Sequence, residues 1–198
     1  MSEIIFHHYW TSPFSEKVRV VFGMKGLSWR SVEIPNMMPK PDLMPLTGGY
    51  RKTPVMQIGA DVYCDSQLII RELERRFPTP AVIPHDFSFA LAFWSDRTFF
   101  QTTVPLIFGE IGPAIPEAFK KDREKMFPER PFDHAQMKAA TPAFKDQWRA
   151  HADFVNAQLK DGRKFVHGDK PTVDDAHCHM NVWFLSSFFP PTAQDLLK

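Results

Sequence analysis

The 198-residue chain contains only two cysteines and nine glycines, and it has no long hydrophobic run. Cys64 and Cys178 form no C-x-x-C pair and join no Cys/His quartet at metal-finger spacing, which argues against redox and structural-zinc roles. The N-terminal segment MSEIIFHHYW offers only Ile4, Ile5 and Phe6 as an apolar stretch, too short for a secretory signal, and nowhere does the chain approach the roughly 18 apolar residues of a membrane span. A cytoplasmic protein with no membrane partner is expected. Neither sign of charge is in excess, since 24 Lys plus Arg oppose 23 Asp plus Glu for a net charge of +1. Without a global field nucleic acid is not an expected partner, and any anionic ligand must be held by local groups.

What is present is a 43% hydrophobic composition with 19 Phe and 18 Pro. A chain of this length buries roughly 70% of its unfolded surface, so it holds a core without disulfides or metal, as one large domain or two small ones. The pattern divides it in two. Up to Phe77, short strand-like runs alternate with short helical ones; after about His85 only helical periodicity and proline-rich breaks remain.

In the first part, residues 4–7 read as a buried strand, and Ser12-Pro13 as the N-cap and first residue of a helix with Phe14, Val18, Val21 and Phe22 on one face, stopped at Gly26. Residues 28–34 read as a second strand. Residues 35–52, with four prolines and the Gly48-Gly49 pair, form a long irregular loop. Residues 55–58 and 62–64 make a hairpin, and a helix capped by Asp65 or Ser66 runs on through Leu73 to Phe77.

In the second part, an aromatic-rich helical stretch over residues 87–108 is expected to break at Pro105, and residues 109–131 to be irregular. Thr141-Pro142 then opens a helix running to Gly162. A last helix starts at Thr172, where Thr172-Val173-Asp174-Asp175 is a capping-box variant and Ala176, Met180, Trp183, Phe184 and Ser187 mark the inner face. His7-His8 and His177-Cys178-His179 do not converge on one ion at strand or helix spacing, so no metal is expected.

Four motifs resemble the glutathione transferases. The stretch from Ser12 to Arg19 (SPFSEKVR) looks like the first-helix start of the serine- and cysteine-type classes. Thr53-Pro54-Val55-Met56 is similar to the family's cis-proline turn, Asp65-Ser66 to its acidic-Ser motif, and Gly168-Asp169-Lys170-Pro171-Thr172-Val173-Asp174-Asp175 to its helical-domain cap. The resemblance spans nearly the whole chain, which nevertheless ends sooner after that cap than many members do.

The resemblance implies an α/β thioredoxin-like glutathione-binding domain over residues 1–79, an all-helical domain over residues 86–198, and a homodimer packed through the latter. It implies conjugation of glutathione, the co-substrate, to a small apolar electrophile, as in detoxification. Ser12 would be the catalytic hydroxyl, with Tyr9 and Ser15 as rivals. Lys40 would bind the glycyl carboxylate, with Arg51 and Lys52 as substitutes. Thr53 and Pro54 would pair with the cysteinyl backbone, and Asp65 and Ser66 would take the γ-glutamyl end. Phe93, Trp94, Phe99, Phe100 and Phe108, with Tyr9, Trp10 and Phe14, are candidates to line the electrophile pocket. Glutathione-dependent isomerisation, as in zeta-like members, and non-catalytic binding or scaffolding are the alternatives.

A thiol with a pKa of about 8.5 is only a few per cent thiolate at neutral pH. Ser12 stands where a hydroxyl and the positive end of a helix dipole both favour the anion. Serine instead of cysteine at that position also removes the sulfur needed for mixed-disulfide exchange.

Overall fold

A computed structural model describes residues 3–188 and 190–197. The N-terminal part is a four-stranded sheet in the order β2-β1-β3-β4, built from β1 (Ile4–His8), β2 (Arg30–Glu33), β3 (Val55–Ile58) and β4 (Asp61–Cys64). β1 runs parallel to β2 and antiparallel to β3, and β3 and β4 form the expected hairpin. Helices α1 (Pro13–Met24) and α3 (Ser66–Arg76) pack against the sheet, with the one-turn α2 (Leu43–Leu46) in the long loop between β2 and β3. Ile4, Phe6, Val18, Val21, Phe22, Met56, Ile69 and Leu73 fill the core between them. This is a thioredoxin-like sheet domain followed by a mostly helical remainder.

The helical part comprises α4 (Ser88–Phe93), a π-helical stretch (Trp94–Phe99), α5 (Phe100–Ile111), α6 (Glu117–Met126), α7 (His134–Ala139), α8 (Thr141–Leu159) and α9 (Val173–Phe188). Short 3₁₀ turns follow α5 and α9. A second core joins Phe99, Leu106 and Ile107 to Trp148, Phe184 and Leu185. α9 also packs on α1, and its Val173 and Ala176 complete the first core, so the two parts share a wall.

Several expectations for this half are corrected. Pro105 lies inside α5 without ending it. The proline removes one helical donor; it is buried, and just before it the hydroxyls of Thr102 and Thr103 donate to the Phe99 carbonyl at 2.7 and 3.2 Å. From α9, Asn181 donates to the Ser95 carbonyl at 3.1 Å, and the Ser95 hydroxyl donates to the His177 carbonyl at 2.5 Å. Tertiary partners thus satisfy backbone groups of the irregular helix. Within residues 109–131, the prolines mark helix ends, and α6 lies between Pro116 and Pro128. Gly109 is there for close approach, since a Cβ would meet the Lys138 nitrogen of α7 at 2.9 Å. The α8 cap is Ala140 with Thr141 already helical, and Ser187 is exposed.

At the end of β1, His8 is fully buried between Ser31 and Arg19. Arg19 donates to Nδ1 at 3.1 Å, which leaves the proton on Nε2 for Ser31 Oγ at 2.8 Å. Burial, with the Arg19 charge beside it, pushes this imidazole down to about 4. His7, His151 and His177 are lowered in the same direction, each chiefly by burial. A depressed histidine pKa means that the unfolded chain takes up the proton first, so stability falls as pH drops from about 6.5 towards 4. His8 alone is expected to cost about 2 kcal/mol between pH 7 and pH 5. Urea unfolding at the two pH values measures this, and His8→Gln should flatten the slope.

Candidate functional site at the β1 and β3 edge

The strand register explains why distant motifs meet. His7 pairs with Val55 and Val55 with Cys64, so the residues just after β1, just before β3 and just after β4 lie along one edge of the sheet. These are Tyr9 to Ser12, Thr53-Pro54, and Asp65-Ser66.

Ser12 caps α1. Its φ and ψ of −81° and 116° are extended, and its Oγ accepts the Ser15 N–H at 3.2 Å. The Tyr9 phenol lies near Ser12, whose hydroxyl favours the phenolate. Burial raises the Tyr9 phenol, outweighing Arg123 nearby, so it stays protonated and able to donate. A serine oxygen accepts two hydrogen bonds and donates one. With the Ser15 N–H held at the oxygen, the Ser12 proton is available to a ligand anion. Ser15, the other rival, is fully buried and its hydroxyl has no partner among the described residues.

The Thr53-Pro54 peptide is cis, as expected. Lys40 reaches it from the long loop, its ammonium donating to the Arg51 carbonyl at 2.9 Å and to Thr53 Oγ1 at 3.2 Å. One of its three protons is left over. Burial, then the Arg123 and Arg51 charges, lower Lys40 to about 8. Lys52 instead sits over the Phe127 ring, 5.6 Å from its centroid.

Asp65 is the one non-glycine residue with positive φ among the described residues, at 82°. The left-handed side of φ costs an L-residue about 1–2 kcal/mol. The strained turn allows Asp65 to cap α3 through the Gln67 N–H at 2.8 Å. Ser66 is the first residue of α3, where free N–H groups suit an anion.

Three residues of this site carry no sequence signal. Tyr50 lies close enough to Asp65 and Cys64 that burial and those charges push its phenol up to about 12. Asp122 and Arg123 come from α6, in a segment that reads as irregular. Asp122 accepts from the Met38 N–H at 3.1 Å and from Arg51 at 2.5 Å, while Arg123 donates to the Asn36 carbonyl at 2.7 Å. Burial raises the Asp122 carboxyl, but the Met38 N–H and Arg51 outweigh it and hold it below the usual range. α6 is therefore clamped onto the loop, and both Ser12 and Lys40 are buried, at 1% and 2% exposed.

The expected aromatic wall is only partly assembled. Phe99 is core, and Phe93 is 59% exposed. Phe108 packs with Phe119 and Phe132. Phe100 meets Phe14, the second residue of α1, edge-on at 5.0 Å.

Residues 6–81 match the family model for the glutathione S-transferase N-terminal domain. Over this segment the chain is a glutathione S-transferase N-terminal domain. A GST-like protein from Pseudomonas syringae is 40% identical, over 98% of this chain and 63% of that one, with a TM-score of 0.72. Glutathione S-transferase U4 of Arabidopsis thaliana is 26% identical over 89 residues, 44% of this chain and 40% of the relative. A maleylpyruvate isomerase from Ralstonia sp is 28% identical over 82 residues, 40% of this chain and 39% of that protein. The chain thus spans about two fifths of the length of these two curated relatives. No helix among the described residues is long and apolar enough to cross a membrane.

Proposed function

We propose that this protein binds glutathione along the sheet edge and adds its sulfur to an apolar electrophile, with Ser12 stabilising the thiolate. The observation that carries the reading is the Ser12 hydroxyl itself: it caps α1 and accepts from Ser15, leaving its proton for the ligand sulfur. Thr53 and Pro54 would receive the cysteinyl backbone as a short added strand. Asp65 and the Ser66 N–H and hydroxyl would hold the γ-glutamyl ammonium and carboxylate. Lys40 would take the glycyl carboxylate with its spare proton.

The electrophile would meet the Phe14 and Phe100 rings. Entry of ligand requires the clamp between α6 and the loop to yield, because Ser12 and Lys40 are otherwise covered. Dimerisation through the helical part completes the proposal, and sedimentation velocity tests it.

A second reading, isomerisation of a small dicarboxylate with glutathione, has one feature in its favour: Lys40, Arg51 and Arg123 gather at the site. Two of these cations are already engaged by Asp122, so conjugation is preferred. Assaying conjugation of a nitroaryl halide beside isomerisation of a maleyl dicarboxylate separates the two. Turnover of the dicarboxylate alone would overturn the preference, and loss of both with retained binding would favour a non-catalytic role.

The ligand assignment has its own pH test. S-methylglutathione has no titrating thiol, so between pH 7 and 10 its affinity follows Lys40 and the ligand's own α-ammonium, and the difference between wild type and Lys40→Met isolates the Lys40 step. Binding is expected to weaken above about pH 8 as Lys40 loses its proton, by roughly 10-fold for the loss of one charge-assisted hydrogen bond. Calorimetric titration across pH 7 to 10 measures it. Lys40→Met should bind more weakly at pH 7 and show no such step; an unchanged step would move the carboxylate to another residue.

A further inference from the structure

Away from the sheet edge, and outside the segment that the family model matches, three side chains from separate elements converge. His85 lies in the connection between α3 and α4, His167 in the loop between α8 and α9, and Asp174 in the first turn of α9. One ligand atom from each falls within 4.8 Å of the others. His167 Nε2 is 2.7 Å from Asp174 Oδ2, and His85 Nε2 is 4.0 Å from the same oxygen. The imidazole rings meet edge-on with centroids 5.1 Å apart.

The surroundings hold these groups in place. The Val173 N–H donates to the Val82 carbonyl at 2.8 Å, which ties the His85 segment to the start of α9. Phe165 and Gly168 exchange backbone bonds of 2.9 and 3.0 Å, and the Val166 N–H donates to Asp175 at 2.7 Å, so the turn carrying His167 is pinned on both sides. Ser88 Oγ stands 3.5 Å from His85 Nδ1, leaving Nε2 as the nitrogen that faces Asp174.

Asp174 is the independent pointer to a ligand. It is 1% exposed, and its Oδ1 has no hydrogen-bond partner among the described residues. No lysine or arginine pairs with it; its ion-pair contacts among the described residues are the two histidines. A buried carboxylate so thinly compensated is costly, and a cation would relieve it. In the capping box it is Asp175, not Asp174, that bonds Thr172, so the cap does not account for this carboxylate.

We propose that His85, His167 and Asp174 form a binding site for a divalent transition metal, zinc by its chemistry. Two imidazoles and one carboxylate suit zinc, whereas calcium and magnesium favour all-oxygen shells. With metal–ligand distances of about 2.0–2.2 Å, tetrahedral ligand atoms stand about 3.3 Å apart. The observed 2.7 and 4.0 Å bracket that spacing, so small side-chain rotations close the site. Three protein ligands leave the fourth position for water or an external donor. The bound ion would staple the connection between the two halves to the start of α9.

The test uses the full, untagged chain stripped with a chelator and titrated with zinc chloride by calorimetry at pH 7.5, with magnesium and calcium in parallel. One tight zinc equivalent is expected, together with a zinc-dependent rise in Tm, and no comparable response to the other two ions. Asp174→Asn and the exposed pair His85→Ala/His167→Ala should each weaken zinc binding by at least about 100-fold. The double-histidine variant guards against misfolding of the buried one, and circular dichroism checks both. A tight equivalent that survives in the double variant would place zinc elsewhere and overturn the proposal. Absence of a tight equivalent in the unmodified chain would overturn it too.

Discussion

Replacing Ser12 by alanine is expected to lower kcat/KM for glutathione conjugation by roughly 10- to 100-fold, the rate equivalent of one hydrogen bond to a charged group at about 1.5–3 kcal/mol. What matters is where the proton of that hydroxyl is free to go. Its oxygen receives the Ser15 N–H, and its own hydrogen is the donor left for sulfur. Loss of that donor should also raise the pH midpoint of kcat/KM by one to two units, towards the free-thiol value of about 8.5. A merely structural role would not move the midpoint.

Capping has to be separated from chemistry, since an N-cap Ser→Ala change costs about 1 kcal/mol of stability by itself. Glycine caps nearly as well as serine, so Ser12→Gly should lose activity like the alanine variant while keeping its Tm. If instead Tyr9→Phe carries the loss and both Ser12 variants remain active, the phenol is the thiolate partner. Stopped-flow or steady-state rates with one nitroaryl substrate across pH 6 to 9 decide between them.

The largest stability effect is expected at Lys17 and Asp96. The Lys17 ammonium is fully buried and bonds both Asp96 oxygens, at 2.7 and 2.8 Å, and Gln67 donates to the same carboxylate at 3.3 Å. The pair joins α1 to the π-helical stretch, and so joins the two halves beside the candidate site. Asp96→Ala would strand a buried cation and is expected to cost about 3–5 kcal/mol. Lys17→Met/Asp96→Ala removes both charges and should be less destabilised than Asp96→Ala alone, because the desolvation penalty goes with them. Chemical denaturation of the wild type, both single variants and the double variant gives the cycle. A double variant as unstable as the sum of the singles would show that the pair is not coupled.

Local sequence was enough for much of the N-terminal half. Ser12 and Pro13 start α1, Asp65 caps α3, and the residues 59–60 turn closes a hairpin, because caps and tight turns are satisfied by residues only a few positions apart. Elsewhere tertiary contacts overrode the local signs. Pro105 reads as a break, yet packing of α5 against α8 and α9 carries the helix through it. The prolines around α6 hide a helix that Asp122 and Arg123 then fasten to residues 35–52.

The sequence by itself determined the class of the chain, from its strand and helix periods, and the separate turns at Ser12, Pro54 and Asp65. That those turns share one edge, that Tyr50, Asp122 and Arg123 join them, and that His85 meets His167 and Asp174 came only with the folded chain. The physical reason is range. A cap or turn is decided within a few residues, whereas a site made of groups tens of positions apart exists only once burial and strand register have brought its walls together.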